Sequence, residues 1–516
     1  MSSADEVRVT ISPLDYIPPR NYVRLVLPIP LKPGVDEKLV FDELHEALHK
    51  TFVQEPWASG KVYRQSPDTP GWRPGQLELR YRATQSLSDP RPHQLRYHKL
   101  DTDWTYEELR DSGFPSDAFP EEELLLDAPF LGDADGPGAD IMLTQASFLP
   151  GGLLLALTAS HSATDASGMM ALFNMWAENF RELHGRDAGG RVAPSIFTDE
   201  DRDRSVPDRI LEKEASPGGP KNSFDDPWLR GLVCLDRGYP REASGAAVPP
   251  SIKSTNGHTN GHTNGSSTNS EGRTMLNRVM FLSATDLITL QKDCAAEPSL
   301  AGTPPLSVGD VITALMWRMS MKVRSAAAIA RGSPLKDEIS VFEAPVDVRN
   351  IFSQNFPPHW FGNCWLLNTA RMPLAELIDP ATSIGRVAGT IRQGAARLDT
   401  QAVHDAYTLL RSTDDLSQIV GRFVERPDSS DFLVSNIMLF PLGDISLGDR
   451  YFENGGTPQA LRVLHGQYAP NVRLGHILPR STTHGGVELS VNLFDDEMAL
   501  LEEDEDFNRY LVPIQA

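Results

Sequence analysis

The reading of the fold turns on GLLLALTASHSATDASGM, residues Gly152 to Met169. Its first part is an apolar run of strand length, and His161 stands where that run stops. Asp165 then sits in N-cap position ahead of MMALFNMWAENF, where Met169, Leu172, Phe173 and Trp176 recur on one helical face. Gly168, lacking a Cβ, lets such a helix approach the strand closely. A strand, a short loop and a helix are therefore predicted, with an imidazole projecting from a rigid strand end. That is a useful place for a general base. A helix-capping aspartate that follows a buried histidine fits the local pattern equally well.

Working outward, the same texture appears on both sides. VRLVLPIP (Val23–Pro30) alternates like a strand, Val35–Phe52 repeats like a helix, and LELRYRAT (Leu77–Thr84) is again a strand. Further on, Arg278–Leu282 reads as a strand followed by a helix capped by Ser283 or Thr285. Ser307–Arg324 is helical, and ISVFEAPVDVR (Ile339–Arg349), ALRVLHG and GVELSVNLF are strands of the second half. Interleaved helices and strands in both halves predict α/β layers.

Between the halves, Ala243–Arg273 contains almost no large apolar side chains after Ile252 and repeats NGHT at Asn256–Thr259 and Asn260–Thr263. Such a tract cannot offset its ordering entropy by burial, so a disordered linker is expected, with His258 and His262 as linker residues. The expected organisation is residues 1–200, a crossover over 201–275, and residues 276–516.

Composition narrows the function classes. The chain has 516 residues, 48 Lys+Arg against 70 Asp+Glu, and a net charge of −22. Nucleic acid and anionic lipid both call for clustered cations, so neither is an expected partner. No apolar run approaches the ~18 residues of a spanning helix. MSSADEVRVT shows no secretory pattern, and Cys234, Cys294 and Cys364 are too few and too scattered for a disulfide framework or a metal knuckle. A reduced, cytoplasmic protein is the expectation.

One other histidine motif competes. His45-Glu46-Ala47-Leu48-His49 is formally HExxH, the zinc-hydrolase spacing, with Glu46 as the base. Yet Val40, Leu44, Leu48 and Phe52 form the apolar stripe of this helix, which leaves the histidines on its polar flank. No glycine-and-histidine continuation supplies a third ligand. Two surface histidines on an amphipathic helix are the simpler reading. GxSxG, Walker and strand-borne GxGxxG motifs are absent from the sequence.

At His161–Met169 the sequence resembles the BAHD acyltransferase superfamily, and within it the fungal trichothecene acetyltransferase-like branch. The resemblance extends to LDYIPPRNYVRLVLPIPL (Leu14–Leu31), LHEALHKTFVQEPWASGKV, SVGDVITALMWR, APVDVRN (Ala344–Asn350), WFGN (Trp360–Asn363) and VELSVNLFDDEMALLEEDEDF. Two departures stand out. The family's DFGWG appears as Asp444-Ile-Ser-Leu-Gly448, and its serine-tryptophan near the coenzyme channel appears as Ser435-Asn436.

The resemblance implies two chloramphenicol-acetyltransferase-like domains around a channel, no tightly bound cofactor or metal, and acyl-CoA as co-substrate. It implies His161 as the general base toward a small-molecule acceptor in a monomeric enzyme. Asp165 would point away from the reaction and pair with Arg349, and Ser435 or Asn363 would offer a donor to the oxyanion. The alternatives are a condensation-type catalyst with a carrier-protein donor, a zinc hydrolase on His45 and His49, and a non-catalytic binding protein.

Overall fold

The computed structural model describes residues 5–119, 121–124, 136–185, 197–216, 218–236, 272–422, 429–464, 473–480 and 485–515. Most of the polar tract Ala243–Arg273 lies outside the described residues. The architecture is α/β, as expected, and the described strands form three sheets.

A small sheet in the first half joins β1 (Glu6–Thr10), β3 (Lys61–Arg64), β4 (Leu77–Arg82) and β6 (Ala139–Asp140). The sheet that carries the site runs β13-β2-β8-β7-β5, from β2 (Tyr22–Pro30), β5 (Leu95–Lys99), β7 (Met142–Leu149), β8 (Gly152–Ser160) and β13 (Arg462–Val463). Every residue of β7 and β8 is buried, as an unbroken apolar run requires when both faces of a strand are covered. Pro28 and Pro30 are tolerated in β2 because their backbone faces away from β8, on the side where an irregular segment, not a full strand, lies alongside. There the carbonyls of Pro28 and Pro30 accept Gln459 and Glu453 N–H groups, while β13 pairs only with Leu25 and Val26.

That pairing corrects one expectation. ALRVLHG is expected among the strands of the second half, but its strand residues, Arg462–Val463, lie on β2 in the first half's sheet. A two-residue strand carries no sign of its partner in its own sequence.

The largest sheet has seven strands in the order β11-β10-β12-β14-β15-β9-β16. They are β9 (Met275–Leu282), β10 (Ile339–Asp347), β11 (Trp365–Pro373), β12 (Phe432–Asn436), β14 (Leu474–Ile477), β15 (Val487–Phe494) and β16 (Leu511–Ile514). β10, β12 and β14 are parallel neighbours, and the rest of the sheet is antiparallel. On β15, Val487, Leu489, Val491 and Leu493 point into a core shared with Leu315 and Trp317 of a long helix.

Three helices matter below. α1 (Glu37–Gln54) is capped by Asp36, α2 (Ala166–Glu182) by Asp165, and α3 (Val308–Ala330) by a Ser307/Asp310 capping box. α1 and α2 pack on each other, with the Trp176 indole N–H donating to the Leu44 carbonyl at 2.8 Å. A second core joins the halves: Leu155, Phe173 and Trp176 cluster with Val279, Leu367, Leu433 and Phe452. The seam between the two larger sheets is thus closed by burial, and the candidate site lies on it.

Candidate active site

His161 follows β8 directly, and its main chain is tied at both ends. Its N–H donates to the Asn21 carbonyl (2.9 Å), and its carbonyl accepts one amide proton of Asn363 (2.8 Å). The turn closes through Ala163 N–H to Ser160 O (2.9 Å), while Arg204 donates to the Ala163 carbonyl (2.6 Å). Asp165 then caps α2 by accepting the Gly168 N–H at 3.0 Å.

The same aspartate reaches across the seam. Its Oδ2 accepts from Arg349 Nη2 (2.8 Å) and from Cys364 N–H (3.2 Å). Arg349 ends the predicted strand Ile339–Arg349 but lies beyond the last residue of β10, Asp347. It opens a short helix just beyond β10, is buried, and also donates to Asp347 (2.7 Å) and to the Trp360 and Gly362 carbonyls. Burial works against its cation, but Asp165 and Asp347 outweigh that and hold its pKa above the ordinary range. Five groups singled out in the sequence, His161, Asp165, Gly168, Arg349 and Asn363, therefore meet in one place.

Gly168 serves a different approach from the expected one. A Cβ there would lie 2.2 Å from Thr164 Oγ1 and 3.1 Å from the Phe361 carbonyl. The glycine lets α2 pack against the Trp360–Asn363 turn, not against β8.

The expected oxyanion role of Asn363 does not fit its surroundings. One Nδ2 proton goes to Asp15 Oδ1 (2.9 Å) and the other to the His161 carbonyl, so the amide has no proton left for a substrate. Its Oδ1 accepts from the Trp365 indole (3.3 Å). Asn363 positions the histidine turn.

Its anchor, Asp15, was missed in the sequence. Fully buried, it accepts from Asn363 N–H (2.8 Å) and Ser12 N–H (2.9 Å) and faces Arg204 (3.3 Å). Ser12 and Asp15 form a capping box, a spacing visible in the sequence, but nothing local says that the aspartate also serves a turn 348 residues away.

His161 as a residue is partly exposed, with the Trp365 ring centroid at 6.0 Å from its ring. Its Nδ1 is buried without a well-formed hydrogen bond. Burial lowers the pKa below the ordinary histidine value, against the opposing field of Asp165. The ring is neutral at physiological pH, the state a proton acceptor needs.

Other candidates lie elsewhere. Ser435, near the end of β12, is partly exposed and in register with His476 of β14. Asp444 is exposed, whereas Gly448 is buried with φ +85° in a loop that Arg181 of α2 holds through the Ser446 carbonyl. His45 and His49 are not a surface pair: His49 is buried, and His45 bonds the Pro92 carbonyl at 2.6 Å. Among the described residues no group of three or more His, Cys, Asp or Glu side chains is placed to hold a metal. No described helix is long and apolar enough to cross a membrane.

The site is thus a histidine on a strand end, braced across the seam between the two larger sheets. The Transferase family model matches residues 239–508, and the model described as trichothecene 3-O-acetyltransferase-like N-terminal domain matches residues 22–179. The chain belongs to this transferase family, of BAHD type, and is an acyltransferase.

Among curated relatives, it is 29% identical over 507 residues to the isocyanide synthase-NRPS hybrid crmA of Aspergillus fumigatus. That match covers 97% of this chain and 31% of the relative, so the chain spans about a third of that protein's length. It is 24% identical over 530 residues to the acyltransferase BOA11 of Botryotinia fuckeliana, with 100% of both chains covered. Among solved structures, F. sporotrichioides TRI101 complexed with coenzyme A and T-2 shares the fold, with a TM-score of 0.70 over 99% of this chain and 100% of that one, at 19% identity.

Proposed function

We propose that the protein moves an acyl group, most simply acetyl, from a CoA thioester to a hydroxyl or amine of a small fungal secondary metabolite, with His161 as general base. One observation carries this reading. His161, a partly exposed residue, has its imidazole kept neutral by burial and its main chain braced on both sides by hydrogen bonds.

In this mechanism His161 takes the proton from the acceptor as its oxygen or nitrogen attacks the thioester carbonyl. The tetrahedral oxyanion collapses, the C–S bond breaks, and the imidazolium returns the proton to the departing thiolate, giving free CoA. No acyl-enzyme is formed. The nearby Cys364 is a poor nucleophile, because burial pushes its thiol well up. Ser435 is the remaining candidate donor to the oxyanion. By register it is level with Pro345 of β10, two residues before the Asp347 that holds Arg349. A cytoplasmic monomer built as two domains, divided at 200 and 276, completes the reading.

A second reading has one observation in its favour. The similarity to a hybrid described as an NRPS is compatible with an acyl donor held on a carrier protein.

The test is acceptor-dependent release of CoA thiol from a small acyl-CoA panel, run against an extract of candidate acceptors. His161→Ala is run in parallel, with a carrier-bound acyl group as a separate arm. Release by the native protein and a ~10²–10⁴-fold loss in the variant are expected. Equal release by both proteins overturns the role of His161. No release with either donor points to a non-catalytic binding protein.

A further inference from the structure

The face of the seven-stranded sheet that looks at the first half carries an unusual row. On β15, the residues that alternate with the apolar core set are Glu488, Ser490 and Asn492, all buried. Register carries that face across the sheet: Ser490 lies beside His476, His476 beside Ser435, and Asn492 beside Asn277 of β9. Val279, opposite Ser490, belongs to the core that joins the halves, and Asn277 Nδ2 donates to the Val463 carbonyl of β13 at 3.0 Å. The row therefore lies on the seam. Ser435, His476 and Asn277 keep partial exposure although their strands are interior to the sheet.

Asn492 is the informative residue. It is 1% exposed, and neither its Nδ2 nor its Oδ1 has a hydrogen-bond partner. A buried carboxamide with both ends unused is costly, and native structures supply such groups with a partner. Nearby polar groups are already engaged in part, as Ser490 Oγ bonds Asn277 Oδ1 at 2.7 Å. The row is also without net charge. Its one carboxylate, Glu488, pairs with Arg462 at 2.7 Å, and burial pushes His476 down to about 4. Leu433, Leu474 and Val279 supply apolar surface around it. Neutral donors and acceptors set in an apolar wall suit a neutral polar ligand and reject an ionised one, which would lose its hydration without a countercharge.

We propose that Asn492, with Asn277, Ser490, His476 and Ser435, forms an acceptor subsite that selects uncharged acceptors bearing a carboxamide, ketone or hydroxyl and disfavours carboxylates and ammonium groups. The proposal rests on the acyl-transfer reading, since it names the chemistry of that reaction's acceptor.

The probes are cyclohexanecarboxamide, cyclohexanecarboxylate and cyclohexylammonium, with binding to the full chain followed by ligand-observed NMR. The carboxamide is expected to bind best. Asn492→Leu should weaken it about tenfold, the size of a lost hydrogen-bonding site. Asn492→Asp should move the preference to cyclohexylammonium, a change that a merely structural asparagine would not produce. Where Asn492→Leu does not fold, Asn492→Ser should weaken the carboxamide in the same direction. Equal binding of the three probes, or carboxamide affinity untouched by substitution, overturns the subsite and leaves Asn492 as the holder of a buried water. The assay contains no thioester. Its failure with His161-dependent thiol release intact therefore overturns the subsite alone, and absence of thiol release with selective binding intact overturns the acyl-transfer reading and, with it, the acceptor role of the site, leaving a binding site for neutral polar ligands.

Discussion

Replacing Asp165 by alanine separates a brace from a reactant. The carboxylate makes three bonds: to Gly168 N–H at the start of α2, to Arg349, and to Cys364 N–H. Loss of an N-cap costs about 1 kcal/mol. Breaking a buried ion pair by removing one partner costs roughly 3–5 kcal/mol, because the other charge is left behind. Arg349 would keep Asp347 and two carbonyls, so the low end of that range applies, giving a total of about 4 kcal/mol. Arg349→Met in the Asp165→Ala background removes the stranded cation, and should recover about half of that loss. Denaturation midpoints of both single variants and the double variant, followed by circular dichroism, measure the cycle. The reasoning fails if the two single costs simply add. A stable but inactive Asp165→Ala would refute it differently, by moving the aspartate into the reaction.

Three further outcomes follow from the same geometry. With the His161 pKa held below its usual 6.5 by burial, kcat/KM for thiol release should be flat at neutral pH and fall only in acid; a limb centred above 6.5 would contradict this. Gly168→Ala should destabilise by ~1–3 kcal/mol through overpacking against Thr164 and the Phe361 carbonyl, despite alanine's better helix propensity, and should lower turnover with it; unchanged melting and turnover would show that the turn can move aside. Glu343, buried on β10 beside Asp431, is pushed up to about 8, chiefly by burial. Its raised folded-state pKa means the native chain keeps a proton that the unfolded chain releases near pH ~4.3, so this contribution to stability is lost as pH climbs to about 8. The melting advantage of Glu343→Gln should therefore grow between pH 5 and 8, and a constant difference would exclude the effect.

The strands and helices that define the architecture were legible because each states its own period. β8 is a continuous apolar run, and α2 starts at a cap followed by residues on one face. The register between halves was not legible. β13 is two residues long, and its place on β2 depends on a chain return from far along the sequence. The small antiparallel sheet also went unseen, since β3 and β6 are short and their alternation is weak.

The site divides along the same physical line. His161, Asp165 and Gly168 lie within one strand-loop-helix unit, where spacing alone sets geometry. Arg349 entered only through family likeness, because no local pattern announces that a residue just past a strand will be buried against a distant cap. Asn363 shows the limit of that likeness: the residue is in the site, but its two amide protons are spent on Asp15 and on the His161 carbonyl. A sequence can place an amide near a reaction, but only the count of its partners tells whether a proton remains to be given. The same count, applied to Asn492, finds an amide with nothing spent at all. The residue proposed to meet a ligand therefore sits in VELSVNLF, a segment whose alternation would otherwise be read as a plain buried strand.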